Sequence, residues 1–424
     1  SDIQAGFGSL QEITGAPHAV LSYQCSPHYV NTALYPMIEY MQRAAGIGRE
    51  DTPVTKLEKF STWLGPGPEA REAVSLLGAL LSIPADGRFP LPAMSPQRQK
   101  ALTFDLLLGF MQRLAADRPL LVVFEDVHWV DPTTQEFIAW LIKRVREMRA
   151  LVVLTFRPEF SPDWGDQPHI EQRELKNLLP EHALELTEHV AAERLSQTVI
   201  EQIVAKTDGV PLFVEELTRA VLGSELLSTQ ENRNTLDASL PSFSIPSTLQ
   251  DSLMARLDQL GPAKLIAQVA GAIGREFSSE LLEAVAPFPA QRVREGLRDL
   301  EHAGLVHAEP GASASSYVFK QALVQEAAYQ SLLRSRRQEL HLRIAEVLES
   351  RFPQTARDAP ELVAHHWAEA GAAERAIAGW LAAGLRASER SEYREAIGHL
   401  RRGLAMIPRL ADAGMQRERE LELL

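Results

Sequence analysis

Glu125 and Asp126 stand side by side at the end of an apolar run, Leu120–Phe124 (LLVVF). Such a pair suits magnesium chemistry. One carboxylate can hold a hydrated Mg²⁺, and the next can polarise an attacking water. An apolar strand closed by two acids is the pattern called Walker B. Solvated acids after a strand are common, but His128-Trp129 and Asp131-Pro132 close behind make LLVVFEDVHWVD more specific.

These residues need a scaffold, and the flanking sequence supplies one. Leu120–Phe124 has the continuous apolar character of a strand buried on both faces. Asp131 is a good helix N-cap and Pro132 fits the first helical position. Phe137, Ile138, Leu141, Ile142 and Val145 then recur at helical spacing, and Leu151–Phe156 (LVVLTF) reads as a second buried strand. The spacing predicts a βαβ unit with parallel strands and a right-handed crossover. Sheets of this kind bind ligands at the carboxyl ends of their strands, where Glu125, Asp126 and Arg157 fall. Upstream, Ala19–Tyr23 (AVLSY) reads as a further short buried strand ended by Cys25-Ser26-Pro27.

The rest of the chain reads as mostly helical. Residues 181–223 are helical with a break at Gly209-Val210-Pro211, and the Ser-, Thr-, Asn- and Gln-rich residues 224–245 read as a linker. Residues 246–345 give three helices and then two short strands around a loop at Pro310–Ser316, the order of a winged helix. Residues 346–424 are Ala- and Leu-rich helices. With Ile377 as position 1 of a 34-residue unit, Trp380, Gly384, Ala396, Leu400, Gly403 and Pro408 fit the tetratricopeptide pattern in kind, whereas Ala387 does not. One repeat cannot bury its own face, so more repeats are expected beyond Leu424.

Composition bounds the function. The chain has 424 residues, a net charge of −13 and a single cysteine. At about 150 residues per domain the length suggests three domains. The acidity opposes non-specific binding to DNA or anionic membranes. One cysteine excludes an internal disulfide and a cysteine-based zinc site, and fits a reducing, cytoplasmic setting. The longest nearly apolar run, Ala73–Ile83, is too short to span a membrane. Within residues 246–345, 11 Lys/Arg balance 11 Asp/Glu, which argues against a DNA-reading winged helix. His365-His366 face different sides of a helix and read as structural, and Cys25 near His28 has no arrangement for nucleophilic catalysis. Ser1 in place of an initiator Met, and a helical pattern running to Leu424, suggest a piece of something longer.

In order and spacing, FEDVHWVDP, LTFRPEF (Leu154–Phe160) and TDGVPLFVEEL (Thr207–Leu217) resemble the signal-transduction NTPases of the AAA-like P-loop superfamily. The closest likeness is to the ATPase modules fused to class III adenylate/guanylate cyclases. CSPHYVNTALYPMIEYM (Cys25–Met41), SLMARLDQL (Ser252–Leu260), GAIGREF (Gly271–Phe277), YVFKQALVQEAAYQSLL (Tyr317–Leu333) and LHLRIAEVLE (Leu340–Glu349) extend the likeness over nearly the whole chain. The resemblance implies ATP and Mg²⁺ as cofactors, with Glu125 and Asp126 as the metal-side acids and Asp126 the firmer match. It implies Arg157 as a γ-phosphate sensor and Gly209-Val210-Pro211 as the element whose proline packs near adenine. It also implies that the winged helix packs on the nucleotide domain as a switch element.

One part of that machinery is missing. A phosphate-binding loop needs G-x-x-x-x-G-K-[ST], and no Gly-Lys pair occurs in the chain. Gly46–Arg49 and Gly271–Arg275 lack the required residues. The expected architecture is therefore α/β then mostly α. A truncated P-loop NTPase parallel sheet without Walker A spans 1–180, a helical lid 181–223 and the linker 224–245. A winged-helix domain spans 246–345, and the start of a tetratricopeptide-like solenoid 346–424. The expected function is a regulatory ATPase module of a signalling protein, joined to a cyclase and to protein partners through its repeats. This stretch alone should bind ATP weakly or not at all. An ATP-dependent transcription activator with helical repeats, or a nucleotide-independent scaffold, are the alternatives.

Overall fold

The computed structural model describes residues 18–223, 248–308 and 316–424, apart from 28, 49–50, 67–69, 85–87, 91–92, 163, 166, 193–194 and 391. The expected linker, most of the expected hairpin loop and His28 lie outside the described residues. The chain forms two compact units that do not follow its linear order. One lies within Ser1–Ile170 and Gln338–Leu424, the other within Glu171–Ala308 and Ser316–Arg337.

The first unit opens with β1 (Ala19–Gln24), α1 (Tyr35–Ala44), α2 (Pro53–Leu64), α3 (Ala70–Leu80) and α4 (Pro96–Asp117). Then come β2 (Leu120–Glu125), α5 (Pro132–Arg144) and β3 (Ala150–Leu154). The strands form a parallel sheet in the order β1-β2-β3. Central β2 is buried on both faces, as its unbroken apolar run requires. In register, Tyr23 lies opposite Phe124 and Gln24 opposite Glu125. Side-chain oxygens start the helices: Thr52, Ser95 and Asp131 each accept from the amide three residues on, and Pro53, Pro96 and Pro132 follow them. Phe60, Phe124, Phe137, Ile138 and Leu141 fill the core.

Asp131 has a second role that its N-cap position does not reveal. Its Oδ1 accepts from both Thr134 N (2.8 Å) and Leu34 N (3.1 Å), and the Thr134 hydroxyl donates to Oδ2. Leu34 is the N-cap of α1 and has φ 56°. One buried carboxylate thus joins the starts of two helices. Burial pushes it up to about 7, against its hydrogen bonds from Thr134 and Leu34 and with the Glu395 carboxylate adding to the rise.

The second unit is built from α6 (Pro180–Ala191), α7 (Gln197–Thr207), α8 (Pro211–Gly223), α9 (Leu249–Gln259) and α10 (Pro262–Ile273). They are followed by β4 (Glu276–Ser278), α11 (Ser279–Val285), α12 (Ala290–His302), β5 (Val306–Ala308), β6 (Ser316–Phe319) and α13 (Ala322–Gln330). The three short strands make an antiparallel sheet in the order β4-β6-β5. Glu216 of α8, 1 % exposed, is paired with Arg256 of α9 at 2.6 Å.

The unit boundary falls within α14 (Arg334–Arg351), and the chain then returns to the first unit. There follow α15 (Pro353–Asp358), α16 (Pro360–Glu369), α17 (Ala373–Glu389), α18 (Tyr393–Met406) and α19 (Ala413–Leu423). Consecutive helices pack through small residues. A Cβ on Gly384 would lie 2.7 Å from Leu400 Cδ2, so α17 and α18 approach as closely as they do only because that side chain is absent. His341 and His366 meet between α14 and α16 with their Nδ1 atoms 2.8 Å apart, so one ring donates and the other accepts. Among the described residues no group of three or more His, Cys, Asp or Glu could hold a metal.

These C-terminal helices are fastened to the sheet region by side chains that would ordinarily face water. Glu395 of α18, 1 % exposed, accepts from Thr133 N at 2.9 Å and from the Thr133 hydroxyl at 2.7 Å. Glu361 of α16 accepts from the Thr32 hydroxyl at 2.8 Å. Arg386 and Arg390 of α17 both donate to Ser82 Oγ, at 2.7 and 2.9 Å. Buried carboxylates persist only where donors replace their water, and each of these has donors. No helix among the described residues is long and apolar enough to cross a membrane.

Candidate functional site

The ends of three parallel strands converge on Asp126. From β1, Gln24 Nε2 donates to Asp126 Oδ2 at 2.9 Å. From the segment after β3, the Thr155 hydroxyl accepts from Asp126 N at 3.1 Å and the Thr155 carbonyl from Val127 N at 2.8 Å. Asp126 itself has φ 57°, a left-handed conformation that an Asp tolerates better than most residues. The strand therefore stops at Glu125, and a single 3₁₀ turn, Val127–Trp129, leads to the cap at Asp131.

Arg157 reaches the same edge. Its guanidinium lies 5.6 Å from the centre of the Trp129 ring. The His128 ring stands 4.3 Å from that of Trp129. Both His128 nitrogens are buried, and neither has a hydrogen-bond partner among the described residues. Burial depresses the His128 pKa; Asp126 and Glu159 oppose the drop and Arg157 deepens it. Glu125, Asp126 and Arg157, which the sequence sets at the carboxyl ends of the strands, share that edge with an imidazole whose pKa burial lowers. One His128 nitrogen can donate and the other accept, and both lack a partner among the described residues. Gln24, Thr155 and His128 carried no role in the sequence reading. The His-Trp pair was visible as part of the motif, but nothing in it distinguishes an orphaned imidazole from a solvated one.

Cys25 follows β1 and its amide donates to the Glu125 carbonyl at 3.0 Å. The residue is 1 % exposed, and burial, with Asp131, Asp126 and Glu39 nearby, pushes its thiol up. Both effects disfavour the thiolate.

Gly209 and Pro211 belong to the other compact unit and form a turn of their own. Asp208 and Gly209 both have positive φ, 47° and 69°. The Gly209 carbonyl accepts from Leu178 N at 2.7 Å, and a Cβ on Gly209 would stand 2.1 Å from the Leu178 carbonyl oxygen. Only glycine fits there. Pro211 then opens α8, where a missing amide costs nothing.

The donor set fits a hydrated magnesium ion. Mg²⁺ keeps several waters and is held by one or two carboxylates plus substrate phosphates, and Glu125 and Asp126 are donors of that type. It does not by itself fit the phosphates, since no Gly-Lys pair occurs in the 424 residues.

Residues 9–154 match the family model of the AAA ATPase domain. That stretch holds all three strands of the parallel sheet and both acids. An uncharacterised protein of Rhizobium meliloti (strain 1021) is 26 % identical over 409 residues, covering 93 % of this chain and 38 % of the relative. The chain thus spans under two fifths of the length of that curated relative. A solved structure from Pyrococcus horikoshii is described as a signal transduction ATPase with numerous domains and a tetratricopeptide repeat sensor. It is 14 % identical, covers 98 % of this chain and 62 % of its own, and has a TM-score of 0.47.

Proposed function

We propose that the chain is the regulatory ATPase module of a larger signalling protein. One observation carries this reading: a match to an AAA ATPase domain coincides with a parallel sheet whose carboxyl edge gathers Glu125, Asp126, His128 and Arg157. Bound Mg²⁺ would neutralise charge on a nucleotide's phosphates. Asp126 holds the metal-side position, oriented by Gln24 and Thr155, and Glu125 beside it polarises the attacking water. Arg157 offers a planar fork suited to a γ-phosphate. His128, neutral, can donate one hydrogen bond to a phosphate oxygen or to the attacking water.

In this reading residues 181–223 are the lid, 246–345 a winged-helix switch element and 346–424 tetratricopeptide-like repeats that meet protein partners. The length of the curated relative leaves room for an output domain, and the sequence resemblance points to a class III cyclase. The test is Mg²⁺-dependent ATP hydrolysis by a longer chain that supplies a G-x-x-x-x-G-K-[ST] loop. Asp126→Asn should abolish turnover while leaving the fold intact, and unchanged turnover would remove the site. Calorimetry on residues 1–424 alone should show ATP binding weaker than micromolar; micromolar binding would refute the need for the loop.

A further inference from the structure

Between β1 and helices α1 to α4 of the first unit lies a cavity of about 280 Å³. Protein interiors pack densely, with few voids larger than a water. An engineered apolar cavity of about 150 Å³ already holds benzene. This one is walled largely by rings and aliphatic chains, among them Tyr40, Trp63, Leu107 and Phe110. Trp63 and Phe110 lie with centroids 5.3 Å apart, a preformed aromatic wall.

Two polar groups break the apolar lining. Tyr23 is 2 % exposed and rigidly placed, stacked on Phe124 at 4.7 Å and edge-on to Tyr40 at 5.4 Å. A tyrosine hydroxyl can both donate and accept a hydrogen bond. Burial, with Tyr40 adding to it, pushes the phenol far above its ordinary range, so it is a neutral donor. Arg113 lines the same cavity, is exposed, and forms no ion pair among the described residues. The cavity therefore combines an aromatic wall with the phenol of buried Tyr23 and the side chain of exposed Arg113.

We propose that this cavity binds a small aromatic carboxylate carrying a ring oxygen. The ring oxygen accepts from Tyr23 Oη, the ring lies against Trp63 and Phe110, and the carboxylate meets Arg113. The site is separate from the carboxyl edge of the sheet, and the proposal stands without the ATPase reading.

The test uses the 424-residue chain, tryptophan fluorescence and calorimetry, and three matched probes. 3-(4-Hydroxyphenyl)propionate has both polar ends, 3-phenylpropionate lacks the hydroxyl, and 4-propylphenol lacks the carboxylate. The first should bind about 3–10-fold more tightly than either of the others, the worth of one hydrogen bond or one exposed ion pair. Tyr23→Phe should erase the preference for the hydroxyl and Arg113→Gln the preference for the carboxylate. Both variants keep the packing, since one removes a single oxygen and the other alters an exposed side chain. Trp63→Phe should remove the fluorescence response. No binding of any probe at about 10 mM, a ΔG of only some −3 kcal/mol, would overturn the proposal. So would binding indifferent to both Tyr23→Phe and Arg113→Gln.

Discussion

Glu395→Ala is expected to loosen the start of α5 from a distance of 262 residues in the chain. The glutamate accepts from Thr133 N at 2.9 Å and from the Thr133 hydroxyl at 2.7 Å, and both ends of the contact are buried. A hydrogen bond to a charged group is worth about 1.5–3 kcal/mol, so two sum to about 3–6. Water can enter the space vacated by the carboxylate and recover part of that, which brings the net loss to about 3 kcal/mol. At about 1.4 kcal/mol per decade this is a factor of roughly 150 in local opening. Hydrogen exchange on peptides covering residues 127–141 reads it directly, alongside urea unfolding followed by tryptophan fluorescence. Glu395→Gln keeps one acceptor oxygen and should lose about a third as much. In a cycle with Thr133→Val the two residues should show a coupling of about 1–2 kcal/mol. Unchanged exchange in Glu395→Ala, with stability within about 0.5 kcal/mol of the parent, would mean that the C-terminal helices do not hold α5 in solution.

Two further outcomes follow from single residues. Burial holds Asp131 up to about 7 in the fold, while an unfolded Asp titrates near ~3.9. Folding therefore favours its protonated form, and its stabilising contribution is full below about 4 and lost as pH rises through about 7. Relative to Asp131→Asn, the parent should lose about 2 kcal/mol between pH 5 and pH 8, seen as a shift of urea midpoints; parallel pH profiles would contradict this. Gly209→Ala should destabilise the second unit by about 2–3 kcal/mol or more, because its φ of 69° and the Leu178 carbonyl both exclude a Cβ. A melting temperature unchanged within error would show that the turn yields.

The parallel sheet was legible because LLVVF and LVVLTF are apolar without alternation, but only β2 is buried along its length; in β3 no residue is fully buried and Leu151 is 55 % exposed, so the expectation of a second buried strand holds for its position and not for its burial. The acid pair was legible for the same reason, since two carboxylates are out of place at the end of such a run. What orients them was not. Gln24 and Thr155 are ordinary polar residues until strand register puts them beside Asp126. Asp131 was read correctly as a cap for α5, but its second amide, Leu34 N, is 97 residues away and no local pattern announces it. Glu361 and Glu395 were hidden more deeply. Charged residues on an Ala-rich helix read as its solvated face, and these two are buried because threonine donors elsewhere in the chain replace water. A linear division into successive domains is also the natural reading of a sequence, and it has no means of signalling that the last helices rejoin the first compact unit.

That return has a consequence for synthesis. The sheet, the acid pair and α5 leave the ribosome first, but the helices that cap Thr133 and engage Ser82 and Thr32 come only after the whole second unit. Thr133 and Glu395 are 262 residues apart, so at ~5–20 residues per second the interval is roughly 13 to 50 seconds. Throughout it the first-made part of the first unit lacks its last wall. A half-made chain is thus a distinct species with its own lifetime, and the order of translation, rather than any ligand, sets when the start of α5 is first closed.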